Sequence, residues 1–360
     1  MAQIDAFFKL MNDEGASDLH MVAGQQPILR IRGDMERVKF KIMENEELKK
    51  MLYEICPEEK IKAFEECGDV DFGYEIPGLA RYRCNFFQQK HGIGAVFREI
   101  PSDIMSCEQL GLPKVISRLS QLPKGLVLVT GPTGSGKSTT LAAIVDEVNR
   151  TRKDHVLTIE DPIEFVHKSQ KCIINHREVG QHTKSFTAAL RGALREDPDI
   201  IMVGEMRDLE TISLAMEAAM TGHLVFGTLH TLNAMKTVDR IIEIFPANQQ
   251  GQVRSTLSDA LKAVVSQTLF KRTDIKGRCA ALEILIATPA VRNLIREGKT
   301  YQIASVMQTG KKYGMQTLDD AILGFLDKKM ISPDAAYSNC IDKAKFVKYL
   351  LKPPSDFTEV

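Results

Sequence analysis

The chain has 360 residues, 44% hydrophobic and 26% charged, enough for a sizeable core and roughly two domains at about 150 residues each. Its 47 Lys and Arg cancel its 47 Asp and Glu, which removes the whole-surface positive charge of a nucleic-acid or anionic-membrane binder and leaves at most a local basic patch. The best membrane candidate, Cys279 to Val291, is shorter than the ~18 residues a span needs and contains Glu283; the N-terminus MAQIDAFFKLMNDEG lacks the basic start and apolar stretch of a leader. The chain therefore reads as cytoplasmic.

In chain order, Ile4 to Met11 has helical apolar spacing, and Leu19 to Val22 and the segments ILRIR and MERVKF, around Gly33–Asp34, read as strands. Two helices follow, Glu44 to Ile55 and Glu58 to Cys67, the second opened by Pro57. Strands return at DVDFGYEI, ARYRCNFFQ and GIGAVFREI, so residues 1–100 read as an α+β domain on an antiparallel sheet, with a linker over 101–111 that begins at Pro101–Ser102–Asp103. From about Leu112 buried strands alternate with helices: Gly125 to Thr130, His155 to Ile159, Ile200 to Val203 and Leu224 to Thr228. This is the pattern of an α/β domain with a parallel sheet over 112–287, followed by short helices over 288–360 and an exit at Pro353–Pro354. The seven cysteines are odd in number and include no C-x-x-C pair, so they read as thiols, not as a disulfide framework or a zinc knuckle.

After the strand LVLVT comes Gly131–Pro132–Thr133–Gly134–Ser135–Gly136–Lys137–Ser138, which fits G-x-x-x-x-G-K-[ST] and runs through Thr139 into a helix. Glycines there let backbone N–H groups turn around a phosphate, the helix N-terminus adds partial positive charge, Lys137 reaches the terminal phosphates and Ser138 can ligate Mg²⁺. The strand IIMV delivers Glu205 to its C-terminal end, where ligands bind in such sheets and a carboxylate can hold Mg²⁺ through water. Between these lies TIEDPIEF, with Glu160, Asp161 and Glu164 at a strand exit; one can activate water, but spacing does not choose among them, and an acidic turn is the plain alternative. His223 and His230 bracket the strand LVFGTL about 23 Å apart if extended, too far to share a metal; either could sense a γ-phosphate or hydrogen-bond a site carboxylate, or play a purely structural part.

Together these blocks resemble the secretion ATPases of type II and type IV secretion systems and type IV pili, and among them the branch that retracts pili in twitching motility. The resemblance covers essentially the whole chain: GPTGSGKST is similar to the family's Walker A block, TIEDPIEFVH to its Asp box, REDPDIIMVGEMRD to its Walker B block and TGHLVFGTLHT to its His box. It implies a PAS-like N-terminal α+β domain, a RecA-like P-loop NTPase core with a helical appendage, and ATP and Mg²⁺ as ligands. It further implies Glu164 as catalytic base, Glu205 as the acid near Mg²⁺, and His223 and His230 in the His-box positions. The family also sets arginines of the N-terminal domain against the phosphates of ATP; the matching residues are Arg83 and Arg98, on two strands that read as paired.

The resemblance implies a homohexameric motor driven by domain rotation, acting on the cytoplasmic face of an inner-membrane pilus platform protein and attached peripherally to that membrane. Assembly ATPases of the family commonly carry a further N-terminal domain and a tetracysteine zinc element; this sequence has neither room for the first nor any C-x-x-C for the second, which favours retraction without zinc. AVRNLIREGK at 290–299 resembles the retraction branch's AIRNLIREGK signature, with Val291 in place of Ile; on its own it reads as a basic-faced surface helix. The alternatives are a pilus assembly or type II secretion ATPase, a nucleic-acid motor on the same core, which zero net charge disfavours, and a non-hydrolysing nucleotide-binding scaffold.

Overall fold

The computed structural model describes residues 2–31, 33–100 and 104–350, so the expected linker start at 101–103 and the exit at 353–354 lie outside the described residues. The chain forms two units: Met1–Asp103 with Pro162–Val166, and Ile104–Asp161 with His167–Val360. Among the described residues no helix is long and apolar enough to cross a membrane.

The first unit is built on strands β1 (Asp18–Val22), β2 (Ile28–Ile31), β3 (Asp34–Arg37), β4 (Asp69–Ile76), β5 (Ala80–Gln89) and β6 (Gly92–Ile100), in the sheet order β3-β2-β1-β6-β5-β4 with every pairing antiparallel. Period-two alternation decides its faces: Tyr82, Cys84 and Phe86 of β5 are buried while Arg81, Arg83 and Asn85 turn away. The buried face carries an aromatic cluster in which Phe8, from the helix Asp5–Asp13, stacks on Tyr82 at 4.1 Å and meets Phe97 edge-on at 5.0 Å. Such pairs add roughly 0.5–1.5 kcal/mol beyond area burial. The helices Asn45–Tyr53 and Glu58–Cys67 lie where the sequence puts them; the second ends at Gly68, whose φ of 77° suits a glycine C-cap.

In the second unit the strands are β7 (Gly125–Thr130), β8 (His155–Glu160), β9 (Ile173–Glu178), β10 (Ile200–Val203), β11 (Leu224–Leu229), β12 (Leu261–Lys271) and β13 (Arg278–Ile286), ordered β13-β12-β7-β11-β10-β8-β9. All pair in parallel except β13, which runs antiparallel to β12. Strands β7, β10 and β11 are buried throughout, hence their continuous apolar runs. The sheet extends by three strands beyond those read from the sequence. Polar residues interrupt β9, whose Ile173 is 64% exposed at the sheet edge, and β12 carries Lys262, Ser266 and Gln267 inside an otherwise apolar run.

The helical appendage packs onto the second unit's sheet and core. Leu318, Ile322, Tyr337 and Phe346 share one hydrophobic cluster with Phe270 and Ala281 of β12 and β13, and Val291 and Ile295 enter the main core. On the helix Pro289–Arg296, Arg292 Nε donates to the Ala287 carbonyl at 2.9 Å and Arg296 Nη2 reaches Ser258 Oγ and Asp259 Oδ1, both at 3.1 Å. Both arginines thus fasten this helix to its own base and to the helix Gln250–Ala260.

Candidate active site

Strand β7 ends at Thr130, and the loop 131–136 turns the chain into the helix Lys137–Thr151. Gly131, Gly134 and Gly136 have φ of 143°, 77° and 87°, which L side chains rarely adopt. At two of them space is also missing: a Cβ on Gly131 would lie 2.4 Å from the Gln267 carbonyl oxygen, and one on Gly136 would lie 2.7 Å from Gln267 Nε2. Thr133 and Ser138 are exposed at the loop and the first helical turn, with Thr139 half-buried beside them, while Ser135 is buried with no hydrogen-bond partner for its Oγ among the described residues. Lys137 is buried, and its Nζ donates to the Gly131 and Pro132 carbonyls at 2.9 and 3.0 Å. Burial lowers its ammonium pKa from the ordinary lysine value, and nearby Glu205 pulls the other way. A lysine ammonium folded onto its own glycine-rich loop at a helix N-terminus suits phosphate.

Glu205 follows β10 by two residues, and its chain is pinned by Gly204 N–H to the Ile159 carbonyl at 2.7 Å and Met206 N–H to the Thr228 carbonyl at 3.0 Å. His230 Nε2 lies 2.9 Å from Glu205 Oε1, and Arg207, which the sequence pattern does not single out, holds the same carboxylate through Nε and through Nη2 at 2.6 Å from Oε2. Burial alone would raise the Glu205 carboxyl pKa; Arg207 and His230 outweigh it and hold it below the ordinary value. The two box histidines part company here. His223 precedes β11, at the opposite strand end from Glu205, and its Nδ1 lies 3.0 Å from the Ala218 carbonyl at the end of the helix Leu209–Thr221.

The three acids of TIEDPIEF also separate. Glu160 ends β8 as a buried residue, 3.8 Å from His176 Nδ1, which in turn lies 2.8 Å from Thr158 Oγ1. His167 donates its backbone N–H to His176 Nε2 at 3.1 Å, and burial drives the His167 imidazole down to about 3, so it stays neutral. These two histidines escape sequence reading because they are nine residues apart on a loop and an edge strand. Asp161 is exposed, and Glu164 belongs to the 162–166 segment grouped with the first unit, where its Oε1 lies 3.9 Å from Arg83 Nη1.

Arg83 and Arg98 sit directly opposite each other on β5 and β6, and the row continues to Asp18 on β1 and Arg30 on β2. Arg98 is 68% exposed, yet its Nε donates to Oδ1 of Asp18, 4% exposed, at 2.8 Å; Arg83 lies 3.8 Å from Asp71. Like charges facing across a strand pair are unfavourable, so two arginines in register need carboxylates beside them or an anion between them.

The oxygen donors Ser138 and Glu205 suit a hard cation such as Mg²⁺, which takes one or two protein oxygens and completes its shell with water and substrate phosphate. Strands β7, β11 and β10 run in parallel side by side, so the phosphate loop and Glu205 share the C-terminal edge of the sheet.

Residues 4–331 match the Type II/IV secretion system protein family. The chain belongs to that family. It is 55% identical over 332 residues to the type IV pilus retractation ATPase PilT of Pseudomonas aeruginosa, covering 92% of this chain and 95% of that one. To a twitching motility protein of Neisseria gonorrhoeae it is 54% identical over 310 residues, 86% of this chain and 83% of that one. The crystal structure of the pilus retraction motor PilT with bound ADP superposes with a TM-score of 0.89 at 44% identity, covering 96% of this chain and 98% of that one. The expected family, the mixed α/β fold with an N-terminal domain ahead of a RecA-like core, and the assignment as a pilus retraction ATPase all stand on these matches.

Proposed function

We propose that this chain is the ATP-hydrolysing motor of type IV pilus retraction. The observation that carries the reading is the meeting, at one sheet edge, of a complete phosphate loop and the Glu205–His230–Arg207 cluster, in a chain 55% identical to a retraction ATPase across nearly its whole length.

The loop N–H groups of Gly134 and Gly136 and the Lys137 ammonium hold the β- and γ-phosphates; Lys137 exchanges the Gly131 and Pro132 carbonyls, and the Ser135 N–H its 3.2 Å bond to the Pro132 carbonyl, for phosphate oxygens. Ser138 and Glu205 are the residues that hold Mg²⁺, which supplies charge neutralisation of the phosphates. Glu164 accepts the proton of the attacking water, and the guanidinium groups of Arg83 and Arg98 balance charge that builds on the transferred phosphoryl group. His230 orients Glu205 and, through it, links the state of the phosphates to the loop after β11. The working form is a homohexamer in which nucleotide turnover rotates the N-terminal domain, 1–100, against a neighbouring subunit's core, 112–287, which carries the 288–360 helices with it, acting on an inner-membrane pilus platform protein from the cytoplasmic side.

Phosphate release by the purified chain with Mg²⁺ and ATP tests the chemistry. Glu164→Gln keeps ADP and ATP binding and loses turnover by at least about 100-fold. Turnover in Glu164→Gln within a few-fold of wild type would remove Glu164 from the mechanism.

A further inference from the structure

Gln267 of β12 was not marked by any motif, yet it is 3% exposed and makes the closest side-chain contacts to the phosphate loop. Its Nε2 donates to the Ser135 carbonyl at 2.6 Å, and its Oε1 accepts from Thr140 Oγ1 at 2.7 Å in the first turn of the helix Lys137–Thr151. The Ser135 carbonyl can only accept, so it fixes which end of the Gln267 amide faces the loop. Strand register explains the placement: Ser266 pairs with Thr130, so Gln267 stands one step beyond the end of β7, level with Gly131. The neighbouring pair Ser266 Oγ and Thr130 Oγ1, 2.8 Å apart, ties the loop's entry as Gln267 ties its exit.

We propose that Gln267 is a positioning residue that presets the phosphate loop for nucleotide. A trans peptide points its C=O and N–H in opposite directions. Holding the Ser135 carbonyl toward β12 therefore aims the Gly136 N–H away from β12, toward the side where phosphate binds. The bond to Thr140 locks the same amide to the helix whose N-terminus attracts the anion, so loop and helix form one rigid cradle. Gly136 is required for a second reason besides its φ, since any Cβ there would collide with the Gln267 amide. Because the cradle contacts phosphate alike in ground and transition states, its loss weakens binding of ATP and ADP together and spares the chemical step.

The inference rests on the ATPase reading. Its test is ADP titration calorimetry and steady-state ATP turnover on the full chain with Mg²⁺, comparing wild type, Gln267→Met, which keeps volume but can neither donate to nor accept from these partners, Thr140→Val and Thr140→Ser. Gln267→Met raises the ADP Kd and the ATP KM by about tenfold, equivalent to ~1.4 kcal/mol, with kcat within about threefold. Thr140→Val shifts both constants in the same direction, and Thr140→Ser, which keeps the hydroxyl, restores them. An ADP Kd within about twofold of wild type in folded Gln267→Met or, should that variant not fold, in Thr140→Val, overturns the inference while leaving the ATPase reading intact. A drop in kcat with unchanged KM and Kd overturns it too. Wild-type protein that neither binds ADP nor releases phosphate overturns the ATPase reading, and this inference with it.

Discussion

The two units handle charge in opposite ways. In the second, each charged group of the site has a built partner: Lys137 donates to two loop carbonyls, and Glu205 is gripped by Arg207 and His230. In the first, Arg83 and Arg98 face each other in register on neighbouring strands, and the better satisfied of the two, Arg98, keeps most of its surface in solvent. A site that holds its own groups ready can bind on its own, whereas an exposed pair of like charges is an arrangement for meeting an anion. In the proposed mechanism, binding belongs to the second unit and control of turnover to the arginines of the first.

The sharpest way to break this division is at the phosphate site. Lys137→Ala and Glu205→Gln are expected to lower kcat/KM by ~100-fold or more in a phosphate-release assay, whereas near-normal values would dissolve the contrast. The arginine row comes next. Arg83→Gln and Arg98→Gln are expected to cut kcat by at least about 100-fold with ADP affinity nearly unchanged. Thermal unfolding separates the two: Arg83→Gln leaves the transition nearly unchanged, because it trades relief of a like-charge pair worth roughly 0.2–1 kcal/mol for the loss of two exposed carboxylate neighbours, Asp71 and Glu164, while Arg98→Gln takes from buried Asp18 its 2.8 Å partner and lowers it.

A smaller effect distinguishes the histidines. His230→Ala is expected to slow turnover by about tenfold through a misplaced Glu205, while His223→Ala stays within about twofold in turnover and within about 1 kcal/mol in urea unfolding, because the Ala218 carbonyl keeps the backbone N–H groups of Gly222 and His223. Equal effects would return both to the same rank. The most modest expectation concerns pH. With its carboxyl depressed in the fold, ionised Glu205 contributes stability that is present above the unfolded carboxyl's pKa and is lost as pH falls through the folded value. Removing Arg207 leaves burial a larger share of the balance, so Arg207→Ala moves the acid loss of stability to higher pH in metal-free thermal unfolding; a limb that stays put would show that the ion pair does not tune Glu205.

Much of this was legible in the chain itself. The first six strands and the phosphate loop can be read because their residues are locally compelled: alternation fixes the faces of β5, and the loop glycines answer to φ and to lost space. His230 could have been preferred over His223, since only the residue after β11 stands at the C-terminal edge where parallel sheets place ligands. Strand β12 and Gln267 could not, because the partners of that amide lie 132 and 127 residues earlier in the chain. Glu160, Asp161 and Glu164 look alike in sequence and differ only when β8 buries the first and the chain leaves the strand before the last.

Hydrolysis at this site withdraws pili if, in the native host lacking only this gene and complemented with wild type or Glu164→Gln, surface pili counted by electron microscopy follow the hydrolytic competence of the chain. Excess, non-retracting pili are expected, which wild type reverses and Glu164→Gln does not. Bald cells restored by wild type would make this an assembly motor and contradict it.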